Sequence, residues 1–118
     1  MIETLLTHDD NGLIEFGLDV LRPRWTTRVL IELAGGPKRT THLLRSLTGI
    51  SAKTLCERLS KLQELGLVSR TKYPGVPPRV EYALTKEGRD TLQVLKVLKD
   101  LGSHWAHAEK PLLMEEVS

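Results

Sequence analysis

The sequence predicts a mainly α fold with a small β-hairpin, ordered as a winged helix-turn-helix, and three observations carry that expectation. First, a three-residue turn around Gly49 separates two amphipathic segments, the spacing of a helix-turn-helix. Second, two strand-like runs, Leu67 to Tyr73 and Arg79 to Leu84, follow directly and are joined by Pro74-Gly75-Val76-Pro77-Pro78, a stiff connection that cannot be helical. Third, charge is concentrated on this stretch: residues 22–89 hold fourteen Lys and Arg against five acids, an excess of +9, although the whole chain is only +2. Residues 1–21 carry five acids and no Lys or Arg, and residues 90–118 three bases and five acids.

Each element has its own justification. Leu13, Phe16, Gly17, Val20 and Leu21 recur at helical spacing and predict a first helix, broken by Arg22 and Pro23. A second helix is expected from Trp25 to Ala34, with Trp25, Val29, Ile31 and Leu33 as apolar bulk and Gly35-Gly36-Pro37 as its stop. Thr40 or Thr41 is the expected cap of a short third helix, amphipathic through Leu43, Leu44 and Leu47, with Lys38 and Arg39 at its start as candidate phosphate contacts. The fourth helix carries most of the functional weight. Ser51 stands where an N-cap belongs, Ala52, Leu55, Leu59 and Leu62 line one face, and Gly66 ends the segment. At about 100° per residue its opposite face holds Lys53, Thr54, Glu57, Arg58 and Lys61, side chains able to bond phosphates and base edges. The hairpin places Val80, Tyr82 and Leu84 on one side and carries Arg70, Lys72 and Arg79 at its ends. A last helix opens at Thr85 as N-cap and continues to about His107.

That last helix is more apolar than a monomer requires. Leu92, Leu95, Leu98, Leu101 and Trp105 form a stripe that Val94 and Val97 widen, which suggests a helix-mediated dimer; coverage of the chain's own first helix is the alternative. Leu13, Phe16, Leu95, Leu98, Leu101 and Trp105 are the expected interface residues, so the N- and C-terminal helices form the dimer contact. Two reading helices about a two-fold axis can then meet successive major grooves about 34 Å apart.

A basic segment gathers at polyanions and gains free energy by releasing their counterions. The aromatic interleaving of a single-strand binder is missing, so duplex DNA is the expected partner, read by Arg39, Ser51, Lys53, Thr54, Arg58, Lys61, Lys72 and Arg79. At 118 residues and 40% hydrophobic the chain suits one domain, residues 1–118, with 1–12 and 109–118 as flexible ends. No apolar run is long enough to span a bilayer and no secretory signal is legible, so the expected location is the cytoplasm without membrane partners. Neither a nucleophile elbow, a phosphate-cradling glycine loop nor a carboxylate pair is present, and no enzyme is expected. His104 and His107 are too few for a metal site, and no metal or other cofactor is expected. A protein-interaction winged helix and a small-ligand-responsive repressor are the competing functional readings.

The motifs also resemble a known family. Trp25 with its apolar helix, Gly36-Pro37-Lys38-Arg39, Gly49-Ile50-Ser51-Ala52-Lys53-Thr54-Leu55, Arg58-Leu59, Leu65-Gly66-Leu67-Val68 and above all Val76-Pro77-Pro78-Arg79-Val80-Glu81-Tyr82-Ala83-Leu84-Thr85-Lys86-Glu87-Gly88 are similar to the HxlR-type (DUF24) winged helix-turn-helix transcriptional regulators of bacteria and archaea. The resemblance covers roughly Leu18 to Trp105 and implies a homodimer on palindromic operator DNA, joined through its first and last helices. Two positions depart from it. Many members hold a sensing thiol just before the first helix, where this chain reads His8-Asp9-Asp10-Asn11-Gly12-Leu13, and Thr40 stands where an aromatic is common. Cys56, the single cysteine, is the remaining redox candidate; the helical wheel places it beside the buried face, where a cysteine packs as a small hydrophobe.

Overall fold

The computed structural model describes residues 5–109. Residues 1–4 and 110–118, which include most of the C-terminal end expected to be flexible, lie outside the described residues. Near the N-terminus a short 3-10 turn, His8–Asp10, leads into α1 (Asn11–Leu21), so helical backbone begins before the Leu13 expected from the sequence. There follow α2 (Thr26–Leu33), β1 (Lys38–Arg39), α3 (Thr40–Ser46), α4 (Ala52–Glu64), β2 (Val68–Tyr73), β3 (Arg79–Leu84) and α5 (Lys86–Glu109).

The expected hairpin is β2 and β3, antiparallel, with Val68 opposite Leu84 and Tyr73 opposite Arg79. A third strand was not foreseen: β1 adds to the free edge of β3, Lys38 opposite Tyr82 and Arg39 opposite Glu81, giving the order β1-β3-β2. Arg39 therefore ends a strand and occupies the N-cap position of α3, in extended conformation and without a side-chain cap bond. Thr40 is the first helical residue, which corrects the expectation of a threonine cap. Lys38 is half-buried, and a Cβ on Gly35 would stand 3.6 Å from its ammonium, so its charge lies at the negative C-terminal end of α2.

The core sits where α2, α3, α4 and the hairpin converge. Val29, Leu30 and Leu33 of α2 meet Leu43 of α3, Leu47 beyond it, Leu55, Leu59 and Leu62 of α4, and Val68 and Leu84 of the hairpin. Burying each of these side chains contributes roughly 1.5–3 kcal/mol of transfer free energy. The expected apolar faces need two corrections: Ile31 points to solvent, and Ala52, at the exposed first turn of α4, takes no part in the core.

One junction ties the sheet to the longest helix. The Thr85 hydroxyl donates to the Gly66 carbonyl (2.6 Å) and accepts from the Gly88 N–H (3.1 Å), while the Thr85 N–H donates to the Leu67 carbonyl (3.1 Å). The expected N-cap of α5 is therefore also a clamp on the turn that closes α4.

The terminal helices touch this core only in part, through Leu21 of α1 and Leu92 and Leu95 of α5. Among the described residues α1 buries none, and α5, 24 residues long, buries only Gly88 and Ala106. The Cα radius of gyration is 16.9 Å, above the roughly 13 Å of a compact chain of this size. Consequently α5 does not cover its stripe with α1 of the same chain: Leu13 is 77% exposed, Phe16 57%, Trp105 57%, and Leu98 and Leu101 42% each. Leu95 is the exception among the expected interface residues, because it turns partly into its own core.

Candidate nucleic-acid interface

The reading helix α4 is started by Gly49 and Ser51. Gly49 has φ of 101°, a left-handed conformation that lets the chain reverse between α3 and α4 without a Cβ penalty. Ser51 is extended, and its hydroxyl oxygen accepts the Thr54 N–H at 3.0 Å. Replacing Ser51 by Ala is expected to remove about 1 kcal/mol of stability, read as a lowered urea midpoint with an unchanged slope.

With Leu55, Leu59 and Leu62 turned inward, the outward face of α4 consists of Lys53, Cys56, Glu57, Ser60, Lys61 and Glu64, which line one shallow groove. Two lysines face two glutamates there, and Lys61 lies 4.0 Å from Glu64, so this face carries no net charge. The position of Cys56 corrects its expected packing: it is exposed and shares the groove with Lys53, because α2 and the hairpin cover only the Leu55–Leu59–Leu62 side.

Arg58 also departs from its expected place. Ser51, Thr54 and Arg58 follow one another at three- and four-residue steps along the flank of α4 that faces the start of α2. The Arg58 Nε donates to the Arg24 carbonyl at 2.8 Å, and its side chain is 25% exposed. A partner 34 residues away thus draws the guanidinium onto the scaffold rather than out from the helix. Thr54 is half-buried and bonded to Ser51, whereas Lys53 and Lys61 extend into solvent.

On the hairpin the two faces differ in charge. Val68, Arg70 and Lys72 share a face with Leu84, Tyr82 and Val80, and neither Arg70 nor Lys72 has an ion-pair partner among the described residues. On the other face the Arg79 guanidinium lies 4.6 Å from the Tyr73 ring centroid and its Nε 3.3 Å from Glu81. Arg79 is thus held by its neighbours, and the free cations of the wing are Arg70 and Lys72. The strand pairing of Tyr73 with Arg79, and the intrastrand step to Glu81, are the signals that could have indicated this. Arg39 is exposed and has no ion-pair partner among the described residues.

Three helices around a buried leucine core, a reading helix capped at its exposed end and a hairpin with free cations define a winged helix-turn-helix protein. An HxlR-like helix-turn-helix family model matches residues 20–110. An uncharacterised HTH-type transcriptional regulator of Synechocystis sp. is 45% identical over 96 residues, 81% of this chain and 71% of that protein. The similarly described YkvN of Bacillus subtilis is 40% identical over 91 residues, 77% of each. Among solved structures, one described as a transcriptional regulator of the MarR family from Enterococcus faecalis matches with a TM-score of 0.79 at 35% identity, covering 88% of this chain and 94% of that one. The redox regulator HypR in its reduced form matches at 0.73 with 30% identity, covering 87% and 97%. The chain belongs to the HxlR-like helix-turn-helix family and is a transcriptional regulator of the winged helix-turn-helix type. No helix among the described residues is long and apolar enough to cross a membrane.

Proposed function

We propose that the chain acts as a non-catalytic, cytoplasmic homodimer that seats α4 in the major groove of palindromic operator DNA. The observation that carries this reading is the outward face of α4, left open to solvent in a fold whose exposed Arg39, Arg70 and Lys72 have no ion-pair partner among the described residues. Because that face has no net charge, the lysines and the Glu57 carboxylate suit base edges, where a carboxylate accepts from cytosine N4 and a lysine donates to guanine. Phosphate attraction comes from the flanks. Ser51, with its exposed hydroxyl at the helix start, and Lys61 at the rim complete the contact; Thr54, Arg58 and Arg79 hold the surfaces that present it.

Dimerisation uses the uncovered faces of α1 and α5. Leu18, Leu21, Val94, Val97, Leu98 and Leu101 line an apolar groove between the two helices, and a second groove of about 460 Å³ continues toward Leu65 and Leu67. These form one surface, so we read both as seats for a second copy.

Fluorescence anisotropy with a duplex from the region upstream of the chain's own gene and a random duplex of equal length separates the roles. Lys53→Ala is expected to weaken the upstream duplex by about 1–3 kcal/mol per half-site more than the random one, whereas Lys72→Ala weakens both equally and lowers the salt slope by about two, one for each protomer. Equal losses on both duplexes for Lys53→Ala, with the salt slope lowered, would reassign that residue to the backbone.

A further inference from the structure

We propose that Arg24 and Arg28, gathered on the Trp25 ring, form a second phosphate clamp alongside the reading helix; this rests on the placement of α4 in the DNA groove. The guanidinium carbons of Arg24 and Arg28 lie 5.1 and 4.7 Å from the Trp25 ring centroid, within cation–π range. Both residues are exposed, and neither has an ion-pair partner among the described residues, while Arg22 pairs with Asp19 and Arg79 with Glu81. Two guanidinium groups on one ring lie at most about 10 Å apart, and a sugar-phosphate backbone running alongside would offset their mutual repulsion while accepting bidentate hydrogen bonds.

The position of the pair relative to the reading helix is set by one backbone conformation and two contacts. Trp25 has φ of 82°, a left-handed conformation that bulky residues rarely adopt and that tends to persist at functional positions. This reversal directs the ring under the helix-turn-helix bend, where a Cβ on Gly49 would stand 3.7 Å from it. It also leaves the Arg24 carbonyl facing α4, where it accepts the Arg58 Nε–H. The backbone that carries both cations therefore packs on the Arg58 flank of α4, with Trp25 under the bend that starts the helix, and forms a lip beside it. A DNA strand bordering the groove that receives α4 passes this lip, so the clamp fits its sugar-phosphate backbone and carries no base preference.

The test uses the full chain and the two duplexes named above, titrated over a salt series. Gln replaces each arginine, because it removes the charge while keeping a stem over Trp25; a thermal melt checks that the variants remain folded. Because a bound dimer carries each arginine twice, Arg24→Gln and Arg28→Gln are each expected to lower the salt slope by about 1.8, and the double variant by about 3.6, on both duplexes alike. The ratio of upstream to random affinity stays unchanged, and double Arg→Lys variants restore most of the slope. A folded double Gln variant with an unaltered slope, or one that loses only the upstream duplex, would overturn the clamp while leaving the placement of α4 standing. Failure of the unaltered protein to bind either duplex at low salt would remove the placement itself and the clamp with it.

Discussion

Gly88→Ala is expected to cost about 3 kcal/mol of folding stability, the upper end of what overpacking a tight site produces. In a helix interior the same change ordinarily stabilises, because alanine has the better helix propensity. Here a Cβ would run into the Leu67 carbonyl oxygen and lie 3.1 Å from the Leu84 side chain. The first obstacle is backbone, so no rotamer change relieves it, and α5 must move off the turn that closes α4. That movement stretches the bonds through which Thr85 holds Gly66, Leu67 and Gly88 together. A thermal melt checks this, with the midpoint expected to fall by on the order of 10 °C. A midpoint equal to or above that of the unaltered chain would mean that α5 does not rest on this turn. Since α5 is also the proposed dimer helix, the junction fixes how the two reading helices are spaced.

The second large effect concerns the proposed dimer. The double change Leu98→Glu, Leu101→Glu places two carboxylates on the uncovered stripe of α5, outside the chain's own core. The expected product is a folded monomer, seen by light scattering at close to the chain mass of 13.3 kDa instead of twice that. Operator affinity is expected to fall by about 10²–10⁴, because two linked half-site contacts become two independent ones. A variant that still sediments as a dimer would place the interface elsewhere.

Local signals in the sequence were read well. The Ser51 cap, the stop at Gly66, the proline-rich connection and the Thr85 cap each act within a few residues, and all stand where the spacing put them. What escaped depends on distant partners. The two-residue β1 has no periodicity of its own and is defined by pairing with Tyr82 and Glu81, more than forty residues on. Arg58 and Arg79 have the residue type of base and phosphate contacts, but the Arg24 carbonyl and the Glu81 carboxylate claim them, and nothing near Arg58 in sequence reveals this. Cys56 was misplaced because a helical wheel gives angles without saying how wide a face the neighbours cover. Arg24 and Arg28 read from sequence as part of a helix boundary; the left-handed Trp25 that joins them is a property of the folded chain.

The single thiol of the chain gives the most direct test of the central claim, that the outward face of α4 meets DNA. Cys56 sits on that face between Lys53 and Ser60. Maleimide labelling of the folded, free protein should go to completion rapidly, a saturating operator duplex should protect the thiol, and protein labelled beforehand should fail to bind. Labelling that is equally fast in the saturated complex would contradict the account, because α4 would then be facing away from the DNA.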